Sequence, residues 1–203
     1  MPKFVLYYFD LAGRAEISRL LFHHAGVEFE DHRFKKDEWA EMKKNQKLFP
    51  FGQCPSLEVD GEVIAQSATI ARYLANEFGL NGKTNMEKAK NDMIFDGLRD
   101  VGQKLINAMK QKDEETKEAM KKDFWENQVQ VDFKLFEERF APQNGFFTGD
   151  SVALADIAFF GLLSFWEEMF HQKPYENFPK LKALHDRVAA LPNIKKYLDS
   201  RKK

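Results

Sequence analysis

Two short segments near residue 60 carry residue types that could hold a ligand by its main chain and by its charge. Gly52-Gln53-Cys54-Pro55-Ser56-Leu57 sets a proline just before a β run. A cis bond there would expose the main chain of the preceding residue to an extended ligand. Gln66-Ser67 closes a second β run and opens a helix. It offers a side-chain amide, a hydroxyl and unpaired backbone N–H groups, a combination that attracts a carboxylate. Together the segments would hold a small, extended, anionic peptide. Tyr7 and Tyr8, near the end of the first β run, add phenolic donors on opposite sheet faces, and periodicity cannot choose between them. Arg14 opens the following helix close to Tyr8. Trp39 and Lys43 stand four apart on a short helix and share a face.

The elements that must position these groups come in two blocks. The first reads βαβ, then α, then ββα. Phe4 to Phe9 is a β run, Arg14 to Ala25 a helix stopped by Gly26, and Val27 to Phe34 an extended stretch. Glu38 to Lys47 reads as a helix capped by Asp37. Ser56 to Val59 and Glu62 to Ala65 flank the hairpin turn Asp60-Gly61, and Ser67 caps a helix through Phe78. Residues 79 to 83 read as a linker, after which strand signals disappear. Helices are expected over 85–110, 114–140, 154–170, 179–190 and 193–200.

With 203 residues the chain can bury a sizeable core, and its net charge of -1 argues against nucleic acid as a partner. Its single cysteine, Cys54, excludes an intrachain disulfide and a cysteine-cluster metal site. The five histidines show no paired ligand spacing, so no metal is expected. The apolar stretch from Ser151 to Trp166 is interrupted by Asp156 and is short of the roughly 20 residues a bilayer requires. No membrane association is expected, and the chain reads as a reduced, cytoplasmic, soluble protein.

In order along the chain, Tyr7-Tyr8-Phe9, Gly13-Arg14-Ala15-Glu16, Glu30-Asp31-His32-Arg33, Trp39, Pro50-Phe51-Gly52, Leu57-Glu58-Val59-Asp60-Gly61, Gln66-Ser67 and Ile70-Ala71-Arg72-Tyr73-Leu74 resemble the cytosolic glutathione transferases. The nearest class is the sigma-like one, which includes the haematopoietic prostaglandin D synthases and is similar to the nematode-type enzymes. The resemblance implies an α/β thioredoxin-like glutathione-binding domain over residues 1–78, an all-α domain over 84–203 carrying the electrophile pocket, and a homodimer. It implies a reaction in which the glutathione thiolate attacks small apolar electrophiles, in detoxification, with hydroperoxide reduction as a further activity. A carrier of haem or other bulky apolar ligands, and a prostaglandin isomerase, are the alternatives it leaves open.

The resemblance also assigns roles. It chooses Tyr8 over Tyr7 as the hydroxyl aimed at the glutathione sulfur, with Arg14 as electrostatic support. A free thiol has a pKa of about 8.5, and lowering it by ~2 units requires roughly 2.7 kcal/mol of differential stabilisation. One charge-assisted hydrogen bond with a nearby cation supplies that much. Trp39 and Lys43 would take the glycine end of glutathione, Gln53 and Cys54 with a cis Pro55 the cysteinyl main chain, and Gln66 and Ser67 the γ-glutamyl carboxylate. Cys54 itself reads as a small apolar residue, since no Cys-x-x-Cys is present. Asp100 would reach the partner subunit's glutathione. Phe9, Arg14, Gly102, Asn107, Ala158 and Leu162 would meet the electrophile. The prostaglandin synthases carry aromatics at the positions of Asn107 and Ala158, so this cleft is expected to be wider. Phe51 is either an anchor in a neighbouring subunit or an intrachain core contact. Asp156 matches a buried helix-capping carboxylate whose usual Ser or Thr partner is Ala153 here; either Ser151 substitutes or the helix start is weaker.

Overall fold

The computed structural model describes residues 2–201. Two compact units form: one runs to Leu80 and includes the chain from Leu191 onward, the other covers Asn81–Ala190. The sequence reading places residues 193–200 with the helical domain, whereas the final helix groups with the first unit.

In the first unit β1 (Phe4–Phe9) pairs in parallel with β2 (Glu30–Phe34) and antiparallel with β3 (Ser56–Val59), which pairs with β4 (Glu62–Ala65). The strand order is β2-β1-β3-β4. Strand β1 is covered on both faces. Phe4 meets Phe22 of helix α1 (Glu16–Ala25) edge to face at 5.2 Å, while Tyr7 faces the other way toward Phe49, 6.4 Å between centroids. The two-residue period therefore sends Tyr8 to the side of Phe4 and Leu6. Gly26 ends α1 in the left-handed region at φ 68°, as its position predicts.

Three elements depart from the sequence reading. A 3₁₀ turn, Gly13–Ala15, precedes α1, so the helix proper starts at Glu16. The helix expected over 38–47 contracts to α2 (Trp39–Met42), and Asp37 does not cap it; instead the Asn45 side chain accepts the Leu48 N–H and turns the chain. Helix α3 (Ser67–Glu77) has Gln66, not Ser67, in the cap position, and no side chain caps it.

The helical unit contains α4 (Asn85–Met109), α5 (Glu114–Asp123), α6 (Val129–Arg139), α7 (Leu154–Phe170) and α8 (Pro179–Ala189). Thr84 and Glu87 form a reciprocal capping box at the start of α4. The continuous helix expected over 114–140 is interrupted by a π turn, Phe124–Gln128. Consecutive residues of an α-helix point about 100° apart. The wider turn lets both Phe124 and Trp125 meet Trp166, at 5.3 and 5.5 Å between centroids.

The start of α7 resolves the question raised by Ala153. Asp156 is fully buried, and its carboxylate accepts the N–H groups of Ala153 and Phe147, both at 2.8 Å. Burial outweighs these donors and pushes its carboxyl up to about 6. Ser151 makes no bond to the helix start among the described residues. The N–H of Ala155 instead donates to Oδ1 of Asn91 from α4 at 2.8 Å, and Asn91 in turn donates to Asn81. A cap supplied from another helix replaces the local one.

Helix α9 (Pro192–Arg201) packs on α1 within the first unit: Tyr197 stacks on His23 at 4.0 Å, and Asn193 donates to the carbonyl of His24. Among the described residues no helix is long and apolar enough to cross a membrane. Asn91→Ala is expected to lower stability in urea denaturation by about 1–3 kcal/mol, because the buried Ala155 N–H loses its acceptor. Ala153→Ser in that background is expected to recover about 1 kcal/mol by supplying the local cap.

Candidate active site

Strand register alone brings the candidate residues to one end of the sheet. Tyr7 lies opposite Ser56, and Ser56 lies opposite Ala65. The end of β1, the start of β3 and the end of β4 therefore share an edge. Tyr8, the Cys54-Pro55 segment and Gln66-Ser67 all sit there, each within two residues of those paired positions. On the other flank Tyr8 is in register with Arg33, next to Phe34 at the end of β2.

The Cys54–Pro55 bond is cis, as expected. The strand ladder begins only at Ser56, so the main chain of Gln53 and Cys54 is not engaged by the sheet. Burial pushes the Cys54 thiol up to about 11. At neutral pH it is a protonated, weakly nucleophilic group, as its reading as a small apolar residue requires.

Tyr8 is buried, with 7% of its surface exposed, and its hydroxyl oxygen accepts the backbone N–H of Arg14 at 3.1 Å. That bond uses a lone pair and leaves the phenolic proton free to donate. Burial raises the Tyr8 pKa, against the lowering effects of the Arg14 N–H and the Arg14 and Arg19 charges. Tyr8 thus keeps its proton through the neutral range. Tyr7 is engaged elsewhere, donating to Glu58 at 3.3 Å. The Arg14 guanidinium is exposed and makes no hydrogen bond or ion pair among the described residues. Its charge acts on both Tyr8 and Cys54.

Gly13 was not singled out as a site residue by the sequence, yet the Tyr8–Arg14 bond depends on it. It adopts φ +46°, and a Cβ there would lie 2.7 Å from the Tyr8 hydroxyl and 2.6 Å from Leu11. Only glycine satisfies both the left-handed conformation and the close approach. The pattern Gly-Arg directly after a strand was the available signal.

Gln66 holds φ 74° and ψ 115°, a strained conformation for a residue with a side chain. The strain turns the chain from β4 into α3 with the Gln66 amide exposed and the first-turn N–H groups uncapped by any side chain. Among the described residues neither Gln66 nor Ser67 makes a side-chain hydrogen bond. The first-turn N–H groups of α3 thus stay available to an external acceptor.

Trp39 stacks on Phe34 at 5.6 Å and 8°, and also meets Phe9 and Phe49 edge to face. Phe9 is thereby held between Phe34 and Trp39 rather than standing free. Lys43 is the residue after α2 and is exposed. Phe51 is 65% exposed, so it makes no intrachain core contact.

In the helical unit Gly102 and Leu162 face each other: a Cβ on Gly102 would stand 3.1 Å from Leu162 Cδ1. Ala158 is buried, and Asn107 is exposed with its Oδ1 accepting from Gln103. Asp100 is exposed on α4. Arg99 pairs with Asp96 at 2.9 Å. Among the described residues no group of three His, Cys, Asp or Glu side chains is placed to hold a metal.

The family patterns decide the identity. Residues 4–76 match the glutathione S-transferase N-terminal domain and residues 99–201 the glutathione S-transferase C-terminal domain. The chain belongs to the glutathione S-transferase family. It is 40% identical to glutathione S-transferase 1 of Ascaris suum, over 100% of this chain and 98% of that one. It is 39% identical to the haematopoietic prostaglandin D synthase of Gallus gallus, over 100% and 98%. Among solved structures, prostaglandin synthase D of Nilaparvata lugens superposes with a TM-score of 0.91 at 30% identity, covering 98% of both chains. The glutathione S-transferase of Ascaris lumbricoides gives 0.83 at 37% identity, covering 100% and 98%. The enzyme is a glutathione transferase, with glutathione as its co-substrate bound by the N-terminal domain. The prostaglandin isomerase alternative is not favoured over this activity.

Gly13→Ala is expected to displace the Tyr8 hydroxyl and, on the role proposed for Tyr8, to lower kcat/KM for glutathione conjugation at least tenfold. Steady-state kinetics check this. Tyr8 has a raised folded-state pKa, so its stability contribution is complete below the unfolded value of about 10 and is lost as pH rises above it. Tyr8→Phe is expected to reduce that alkaline loss, read by thermal unfolding from pH 9 upward.

Proposed function

We propose that this transferase detoxifies apolar electrophiles by holding glutathione along the sheet edge, with Tyr8 donating to the thiolate sulfur. The observation that carries this is the Tyr8 hydroxyl itself: buried, oriented by the Arg14 N–H at 3.1 Å, and still in possession of its proton. The thiolate forms as the glutathione proton leaves to solvent, and the phenol's hydrogen bond with the Arg14 charge stabilises the anion left behind. The sulfur then attacks the electrophilic carbon, forming a thioether as the leaving group departs.

The peptide is held by three sets of groups. The unengaged main chain at Gln53 and Cys54, beside Pro55, pairs with the cysteinyl unit. Gln66 and the uncapped start of α3 take the γ-glutamyl carboxylate. Trp39, fixed by its aromatic packing, and Lys43 take the glycine end. The family resemblance assigns electrophile contacts to Phe9 and Arg14, and separately to Gly102, Asn107, Ala158 and Leu162. The modest side chains at Asn107 and Ala158 favour broad conjugation.

The exposed ring of Phe51, presented at a turn where Gly52 donates to the Phe49 carbonyl, suits an anchor in a second copy of the chain. In such a homodimer Asp100 would serve the partner's glutathione. The reduced Cys54 and the reliance on a free thiol co-substrate are consistent with a cytoplasmic setting.

The deciding experiment is conjugation of chlorodinitrobenzene by the intact enzyme and by Tyr8→Phe across pH. The variant is expected to lose about 10- to 100-fold in kcat near neutrality, the equivalent of one charge-assisted hydrogen bond, and to recover at high pH where the thiol ionises unaided. Equal rates would show that Tyr8 is structural. Gln66→Ala is expected to raise KM for glutathione about tenfold while kcat changes little, since it removes ground-state and transition-state binding alike.

A further inference from the structure

We infer that Arg19 is a positioning residue for the reaction: its buried guanidinium shapes the loop that delivers the Arg14 N–H to the Tyr8 hydroxyl. This deepens the reading of Tyr8 as the donor to the thiolate and rests on it.

Arg19 lies on the first turns of α1 and is completely buried. Its Nη1 donates to two successive carbonyls, those of Leu11 at 2.8 Å and Ala12 at 3.1 Å. These carbonyls belong to the two residues before Gly13. The next N–H in the chain after Gly13 is the one Tyr8 accepts. Arg19 therefore grips the main chain two peptide units from the oriented hydroxyl. Its guanidinium carbon stands 5.9 Å from the centroid of the Tyr8 ring.

The guanidinium is itself held by two carboxylates. Glu16 meets Nη1 at 3.3 Å, and Asp31 on β2 receives Nε at 3.0 Å. Asp31 is braced by Arg33, which also reaches Asp10 in the same loop. Glu16 is braced by Tyr197 at 3.0 Å and by Arg201 at 2.9 Å, both from α9. The final helix of the chain is thus linked to the Tyr8 loop through two side chains.

A buried charge cluster is poor value as a stabilising device, since apolar residues of similar size often do as well. What it supplies is directed geometry. One nitrogen that catches two adjacent carbonyls allows the loop a single path, and Gly13 at φ +46° is the bend that path requires. An apolar side chain of the same volume would fill the space but leave the Leu11 and Ala12 carbonyls without their donor.

The test compares Arg19→Met, Arg19→Lys and Tyr8→Phe with the parent. The readouts are conjugation kinetics and the pH titration of thiolate absorbance for bound glutathione, with circular dichroism to establish folding. Arg19→Met is expected to raise the apparent pKa of bound glutathione and to lower kcat about tenfold, with KM for glutathione changed less than about threefold. Arg19→Lys keeps the charge but cannot span both carbonyls together with Asp31. It is expected to lose kcat by about threefold. A folded Arg19→Met with the parental titration and kcat would overturn the proposal. Should Arg19→Met fail to fold, Arg19→Lys decides, and a parental profile there overturns it. The Tyr8→Phe control separates the two levels. If Tyr8→Phe shifts the titration and the Arg19 variants do not, the positioning role alone falls. If Tyr8→Phe leaves the titration unmoved, the role of Tyr8 falls and takes the positioning role with it.

Discussion

In the proposed reaction, the hydrogen bond from the Arg14 N–H to the Tyr8 oxygen is the interaction on which the first unit's chemistry turns. A phenol in a polar cleft could direct its proton to several acceptors. Filling one lone pair with a backbone donor removes that freedom without consuming the proton. The bond also opposes burial, which on its own would make the phenol a weaker acid and a weaker donor. Much of the surrounding structure serves this one contact. Gly13 lets the loop come within van der Waals range of the ring, and the 3₁₀ turn that follows brings the Arg14 side chain out toward solvent while its N–H points inward. Because the residue is glycine, the left-handed bend and the close approach carry no steric penalty.

On the proposed reading, glutathione meets groups that folding leaves unfinished at the same sheet edge. The main chain before Pro55 does not enter the ladder, and the start of α3 lacks a side-chain cap. In a folding calculation these would count as defects, since an unpaired N–H near the surface gains nothing from the fold. Gln66 adds strain at φ 74°. They gather at the ends of β1, β3 and β4. Cys54 at this edge invites a redox interpretation, but a thiol pushed up to about 11 lacks the thiolate that such chemistry needs.

The helical unit shows the complementary economy. Its interior is aromatic, organised about Trp166, and its buried carboxylate, Asp156, accepts two backbone N–H groups. Asp156 ties the loop at Phe147 to the entry of α7, while Asn91 caps that entry from α4. A helix start stabilised by a neighbouring helix couples the order of two elements, so α7 gains its full stability only when α4 is in place.

Much of this was legible in the sequence. Alternation over Phe4–Phe9, the Asp60-Gly61 turn and the helical periodicity after residue 84 located the strands and most helices, because hydrophobic period and turn chemistry are local properties. The positions of Tyr8, Arg14, Pro55, Gln66 and Ser67 at strand and helix ends were also readable from their neighbours, while their roles rested on the family resemblance. What the sequence could not decide was whatever depended on atoms far apart in the chain. Periodicity left Tyr7 and Tyr8 equivalent; the hydroxyl of one meets a backbone N–H six residues on, and that of the other meets Glu58. The missing cap at Ala153 pointed to Ser151 nearby, but the acceptor came from Asn91, 64 positions away. The π turn at Phe124 and the allegiance of the last helix to α1 have the same origin. Local rules act over a few residues, whereas Trp166 and Glu16 recruit partners by proximity, and proximity exists only once the chain has folded.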